Sequence, residues 1–129
     1  MELTQLIYTS EPFGFDDAML NGILVQARRN NPLHDITGCL ICRADVYLQL
    51  LEGPVTAIDA LYARIKDDNR HLAVATLSHA PVSTRMFPDW AMRDDPAQSW
   101  LWPPEAVAAG ALHQASPQAL RAVFARVAG

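Results

Sequence analysis

The sequence predicts an α+β domain: a ferredoxin-like, mixed five-stranded sheet with two helices on one face and two C-terminal helices covering the other. Three observations carry that prediction. Segments of period 2 and period 3.6 follow one another as strand, helix, strand, strand, helix, strand, strand, helix, helix. A short turn, Arg43-Ala44-Asp45, joins the second and third strands into an antiparallel hairpin. The third strand is apolar on both sides, with Val46, Leu48 and Leu50 on one face and Tyr47, Gln49 and Leu51 on the other. Both faces of the sheet therefore need a covering layer.

Leu3 to Ser10 reads as the first strand, with Thr4, Leu6, Tyr8 and Ser10 on one face. Tyr8 by itself reads as a core tyrosine whose hydroxyl reaches a partner. Glu11-Pro12-Phe13-Gly14 is a turn, and Asp16 or Asp17 caps the helix that follows. Leu20, Ile23, Leu24 and Ala27 recur at helical spacing. Asn31 continues that face, Asn30 lies beside it, and Pro32 stops the helix. Two adjacent amides at the rim of a buried face either cap the helix or meet a polar ligand.

Ile36 to Cys42 is the second strand. Cys39 and Cys42 have the spacing of a redox or zinc pair. Residues three apart on a strand face opposite ways, however, so these thiols do not meet. In the third strand Gln49 is a primary amide among apolar neighbours. Buried without partners, it costs about 1–3 kcal/mol. Either it bonds a nearby backbone group or water, or it faces a polar heteroaromatic ligand. An amide suits the second task because it both donates and accepts.

Gly53-Pro54 ends the strand and opens a second helix. Ile58, Leu61, Tyr62 and Ile65 form its apolar face; Arg64 and Asp68, four apart, fit an exposed pair worth about 0.2–0.5 kcal/mol. A strand around Val74 to Leu77 follows, then a short final strand at Trp90 to Met92. Pro103 to His113 and Pro117 to Val127 read as two helices, the second capped by Ser116. Leu120, Val123, Phe124 and Val127 make an apolar stripe that fits the second face of the sheet. The expected division is residues 1–95 as one domain and 96–129 as a helical extension packed on it.

At 129 residues the chain fits one domain with a sizeable core. Half its residues are hydrophobic, which is ordinary for a globular protein. A net charge of −4 with no basic patch argues against a nucleic-acid partner. The start Met1-Glu2-Leu3-Thr4 does not read as a signal peptide, and no apolar run is long enough to span a bilayer. A cytoplasmic location is the expectation. There is no Gly-x-Gly-x-x-Gly, P-loop or nucleophile elbow. His34, His71, His79 and His113 are not at zinc-ligand spacing, and no carboxylate pair is placed for acid–base work. Amides converging on an apolar space between two helices describe a binding module better than an enzyme.

Six segments then match a known family in order and spacing: Leu6-Ile7-Tyr8-Thr9-Ser10, Asn30-Asn31, Ile36-Thr37-Gly38, Leu48 to Gly53, Asp68 with Arg70-His71, and Arg85 to Met92. Over about residues 3–93 the chain resembles a BLUF domain, a blue-light sensor that holds a flavin non-covalently. The resemblance implies FAD, with FMN as the alternative, lying between the two main helices. It implies that Tyr8 donates an electron and a proton, and that Gln49 bridges Tyr8 and the flavin and then rearranges. Asn31 is expected on the polar edge of the ring, Ile23 and Ile65 on its two sides, and Asn30, Arg64, Asp68 and His71 near the ring or the ribityl-phosphate chain. Trp90 and Met92 are the expected relay. Ala27 departs from the serine that many relatives carry, and this removes a minor contact.

The tail after Met92 matches no recognisable enzyme, so output is expected to pass to another protein or another copy of the chain. Two rival readings remain. One is a flavin-free interaction module that keeps only the fold. The intact Tyr8, Gln49 and Asn31 set argues against it. The other is an acylphosphatase-like enzyme using Arg64 and Asn31 on an anionic substrate. The lack of a phosphate-cradling glycine loop argues against that.

Overall fold

The computed structural model of the chain describes residues 3–12, 17–43, 45–68, 71–96 and 102–128. β1 (Leu3–Pro12) leads to α1 (Asp17–Asn30), a 3-10 turn at Asn31–His34, and the hairpin β2 (Thr37–Arg43) and β3 (Val46–Pro54). α2 (Val55–Asp67) and β4 (His71–Val82) complete a second strand–helix–strand unit. A short strand, β5 (Arg93–Pro96), precedes α3 (Pro104–Ala108), α4 (Ala111–Gln114) and α5 (Pro117–Ala128). The expected caps Asp16 and Asp17 fall outside the described side chains. Among the described residues no helix is long and apolar enough to cross a membrane.

Four strands pair antiparallel in the order β4-β1-β3-β2, and β5 adds in parallel along β2. The order follows from the connections. The α1 crossover returns β2 parallel to β1 with a gap between them, and the hairpin partner β3 fills the gap. Register places Gln49 opposite Tyr8 on one side and Leu40 on the other. Gly38 of β2 lies tight against the backbone of β3. A Cβ there would stand 2.1 Å from the Leu50 carbonyl oxygen, so no side chain fits.

The two-faced pattern of β3 is realised: Val46 to Gly53 is buried throughout. On one face Leu6, Tyr8, Leu40, Tyr47 and Leu51 pack against Ile23 and Leu24 of α1 and Ile58 of α2. On the other, Ile7, Cys39, Ile41, Leu48 and Leu50 pack against Leu120, Val123, Phe124 and Val127 of α5. Cys39 and Cys42 lie in different cores and form no disulfide with each other. Ser116 caps α5, its Oγ accepting from the Ala119 N–H at 3.0 Å. Arg43 grips the Asp45 carboxylate across the β2–β3 turn and donates from Nη1 to the Trp102 carbonyl at 2.9 Å. The hydrogen-bonded guanidinium holds the Asp45 carboxyl below its ordinary range.

Two elements differ from expectation. The stretch 103–113 is two short helices, not one, because Gly110 between them adopts a left-handed φ of +96°. Trp90 to Met92 is not the final strand; that role falls to Arg93–Pro96. The Trp90 carbonyl does accept from the Gly38 N–H at 3.1 Å. The next two carbonyls go to side chains instead: Ala91 O accepts from Asn31 Nδ2 at 2.9 Å and Met92 O from Arg28 Nε at 3.0 Å. Side chains of α1 and the 3-10 turn thus replace a ladder, and regular pairing starts only beyond them.

Candidate functional site

Between α1 and α2, over the β1–β3 pair, lies a cleft that is partly open to solvent. α1 lines it with Ile23, Gln26, Ala27 and Asn30, residues three or four apart and so on one stripe. α2 supplies Leu61, Arg64 and Ile65 by the same rule, with Asp68 just beyond its end. Asn31 stands at the rim, and Tyr8, Gln49, Leu51 and Met92 form the floor.

The floor carries the distinctive chemistry. The Tyr8 hydroxyl donates to Oε1 of Gln49, its cross-strand neighbour. Nε2 of the same amide donates to Sδ of Met92 at 3.3 Å. Gln49 is only 4% exposed, and these two bonds offset the cost of burying a bare amide. Met92 is buried because Arg28 and Asn31 hold the backbone around it, which swings its side chain inward.

Burial pushes the Tyr8 phenol well above its ordinary pKa of 10.0, and charge repulsion from Tyr62 and Asp68 adds to the shift. The Tyr8 and Tyr62 rings lie 5.2 Å apart, tilted by 44°. The phenol therefore keeps its proton at neutral pH. Above the ordinary pKa an unfolded chain releases that proton while the folded chain retains it. The folded state binds more protons there, so its stability falls as pH rises. The denaturation midpoint of the native protein should drop between about pH 9 and 11 more steeply than that of Tyr8→Phe. Parallel curves for the two proteins would contradict this account of the Tyr8 environment.

The cleft brings together Tyr8, Ile23, Asn30, Asn31, Gln49, Arg64, Ile65, Asp68 and Met92 from the sequence expectation. Ile23 and Ile65 belong to opposing helices, as walls for a flat ring require. Asn31 reaches the rim and spends one N–H of its Nδ2 on Ala91 O, which leaves its carbonyl oxygen and a second N–H to face a ligand. Arg64 is exposed at the mouth. Trp90 is 46% exposed and does not line the cleft; Met92 takes the place beside Gln49. The His71 side chain lies outside the described residues. Gln26, Leu51 and Leu61 line the cleft without having been singled out. Their positions were available from spacing: Gln26 precedes Asn30 by four, Leu61 precedes Ile65 by four, and Leu51 shares the Gln49 face.

This donor set fits a flavin ring. Apolar walls stand on two opposing helices, and an amide that both donates and accepts sits on the floor. Asn30, Asn31, Arg64 and Asp68 give a polar rim. Among the described residues no three His, Cys, Asp or Glu side chains are grouped to hold a metal.

Comparisons with known proteins give the family. The family model described as BLUF, sensors of blue-light using FAD, matches residues 3–93. The β subunit of the photoactivated adenylate cyclase of Euglena gracilis is 38% identical over 94 residues, 70% of this chain and 11% of that protein. The chain thus spans about a tenth of that relative, and the cyclase activity is that of the larger protein. Among solved structures, the dark state of BlrB, a BLUF protein, superposes with a TM-score of 0.77 at 29% identity, covering 98% of this chain and 96% of that one. The photo-activated state of BlsA superposes at 0.82 over 98% of this chain and 94% of that one; at 22% identity it speaks for the fold alone.

Proposed function

We propose that this chain, which belongs to the BLUF family of flavin-binding blue-light sensors, switches through the hydrogen-bonded row Tyr8–Gln49–Met92 and holds FAD in the cleft between α1 and α2. One observation carries the reading: a buried amide bonded at both ends across the floor of that cleft. When bound, the flavin supplies the absorption of blue light and an oxidising excited state. The Tyr8 phenol is the electron donor. Because it is neutral, losing an electron makes its proton strongly acidic, and the hydrogen bond to Gln49 Oε1 gives that proton an exit. Gln49 then rearranges, by rotation or by tautomerisation, and exchanges which of its ends donates into the cleft.

Asn31 is the partner for the polar edge of the ring, and Ile23 and Ile65 sandwich its faces. Asn30, Arg64, Asp68 and His71 serve the ring or the ribityl-phosphate chain. FMN shares the ring and competes for the same site. Residues 1–95 act as the sensor and 96–129 as a helical extension that carries the output. That output goes to a separate effector or to a second copy of the chain, in a cytoplasmic setting. In this role the chain is a sensor module and does no chemistry on a substrate.

The test is direct. The purified protein should be yellow, or become yellow on incubation with FAD or FMN, and release the flavin intact on denaturation. Chromatography of the released flavin then tells FAD from FMN. A folded protein that stays colourless with both sinks the proposal.

A further inference from the structure

The segment from Arg85 to Met92 passes from one face of the sheet to the other. Phe87 packs in the core under α5, its ring edge-to-face with Phe124 at 6.5 Å. Met92, five residues on, lies in the opposite core against Gln49. In between, Trp90 O pairs with Gly38 N–H at the edge of β2. The segment is a strap linking the cleft floor to the tail helices.

The first turn of the strap is fixed by one side chain, Glu52 of β3, which is fully buried on the tail side. Its two carboxylate oxygens accept from the Met86 N–H at 2.9 and 2.8 Å. Oε1 also accepts from the Phe87 N–H at 3.0 Å, and Oε2 from Gln5 Nε2 at 3.2 Å. Arg85 adds a second fastening, donating to Thr37 Oγ1, the Glu52 carbonyl and the Asp35 carbonyl at 2.9, 3.2 and 2.7 Å. Glu52 lies three residues from Gln49 on the same strand and faces the other way. One rigid strand therefore holds the switch amide on one face and the anchor of the strap on the other.

We propose that Glu52 is a positioning residue for the light response: by fixing Met86 and Phe87 it holds the tail-side end of the strap whose other end Arg28 and Asn31 hold beside Gln49. The inference rests on the reading of Gln49 as the switch. Glu52 does not line the cleft. Its effect appears in how firmly the strap is held and in whether a change at Gln49 reaches the tail.

The test compares Glu52→Ala, Glu52→Asp, Glu52→Gln and the control Ile58→Val by hydrogen exchange, with and without flavin. Alanine strips two backbone N–H groups and the Gln5 amide of their acceptor. Exchange at residues 86–92 should rise about tenfold or more in the dark, in the flavin-free protein as well. With flavin bound, the optical shift should persist while any light-dependent exchange change in residues 102–128 is lost. Aspartate keeps the charge but is one methylene short, so it should show the same effects in weaker form; it stands in if the alanine variant does not fold. Glutamine keeps a carbonyl that can accept from both N–H groups but sets an NH₂ against the Met86 N–H, so its exchange should fall between the native and alanine values. Ile58→Val trims the cleft-side core, which Met92 shares, without touching Glu52, Met86 or Phe87, and should leave exchange at Met86 and Phe87 unchanged. Native exchange at 86–92 in both the alanine and aspartate variants would overturn the proposal. So would an equal rise at Met86 and Phe87 in Ile58→Val. The optical shift of Gln49→Leu judges the switch reading separately, since it does not depend on Glu52.

Discussion

Tyr8→Phe and Gln49→Leu should each abolish the light-induced red shift of the flavin absorption and leave the flavin bound. Phenylalanine removes only the hydroxyl that donates to Gln49 Oε1. The ring still packs in the core with Leu6, Tyr47 and Leu51. The loss leaves the buried Gln49 Oε1 without this donor, at a cost of about 1–3 kcal/mol, against a typical fold stability of about 5–15 kcal/mol. Leucine keeps the bulk of Gln49 but removes the donor and the acceptor together. It leaves the buried Tyr8 hydroxyl short of this acceptor, at a cost of about 1–3 kcal/mol, which a folded domain survives. Both variants should therefore purify yellow. The measurement is the difference spectrum before and after blue light: the native shift should reverse in the dark, and each variant should show none. A shift of native size in either one would break the assignment of Tyr8 as donor or Gln49 as switch.

How much of this was legible in the chain differs from element to element. β3 was readable because its alternation is unbroken and both its faces are apolar, which fixes the need for two covering layers. α5 was readable from its stripe of Leu120, Val123, Phe124 and Val127, and its start from Ser116. The cleft stripe of α1 followed from the period of 3.6. What local pattern could not give were features decided by contacts between distant segments. Trp90 to Met92 has the composition of a strand, yet Arg28 and Asn31, some sixty residues earlier, claim its carbonyls and delay pairing to Arg93. The same bonds decide that Met92 and not Trp90 sits beside Gln49. Glu52 reads in sequence as a charge at the end of an apolar strand; only the fold brings Met86, Phe87 and Gln5 to it. Gly110 was a break hidden in an alanine-rich stretch where helical propensity favours continuation.

Blue light should change hydrogen exchange at residues 86–92 and 102–128, and Met92→Ala should reduce that distant response more than it reduces the optical shift. The two readouts separate because they depend on different bonds. The shift rests on Tyr8 and Gln49, and the thioether contributes only a weak acceptor to the far end of the amide. The distant response rests on what a rearranged Gln49 does to its neighbour. If Nε2 turns away from Sδ, Met92 loses its polar contact and can shift within the strap. The strap leads back to Phe87, which touches Phe124 of α5. Alanine leaves a cavity where a side chain 1% exposed had been, at a cost of about 2–5 kcal/mol. Met92→Leu serves beside it, since it keeps the volume at a cost below about 1.5 kcal/mol and lacks only the sulfur. In Met92→Leu the shift should persist and the tail response should fall, which separates loss of the Gln49 contact from loss of packing. If illumination altered exchange only around Tyr8, Asn31 and Gln49, the strap would have to be abandoned as the output route.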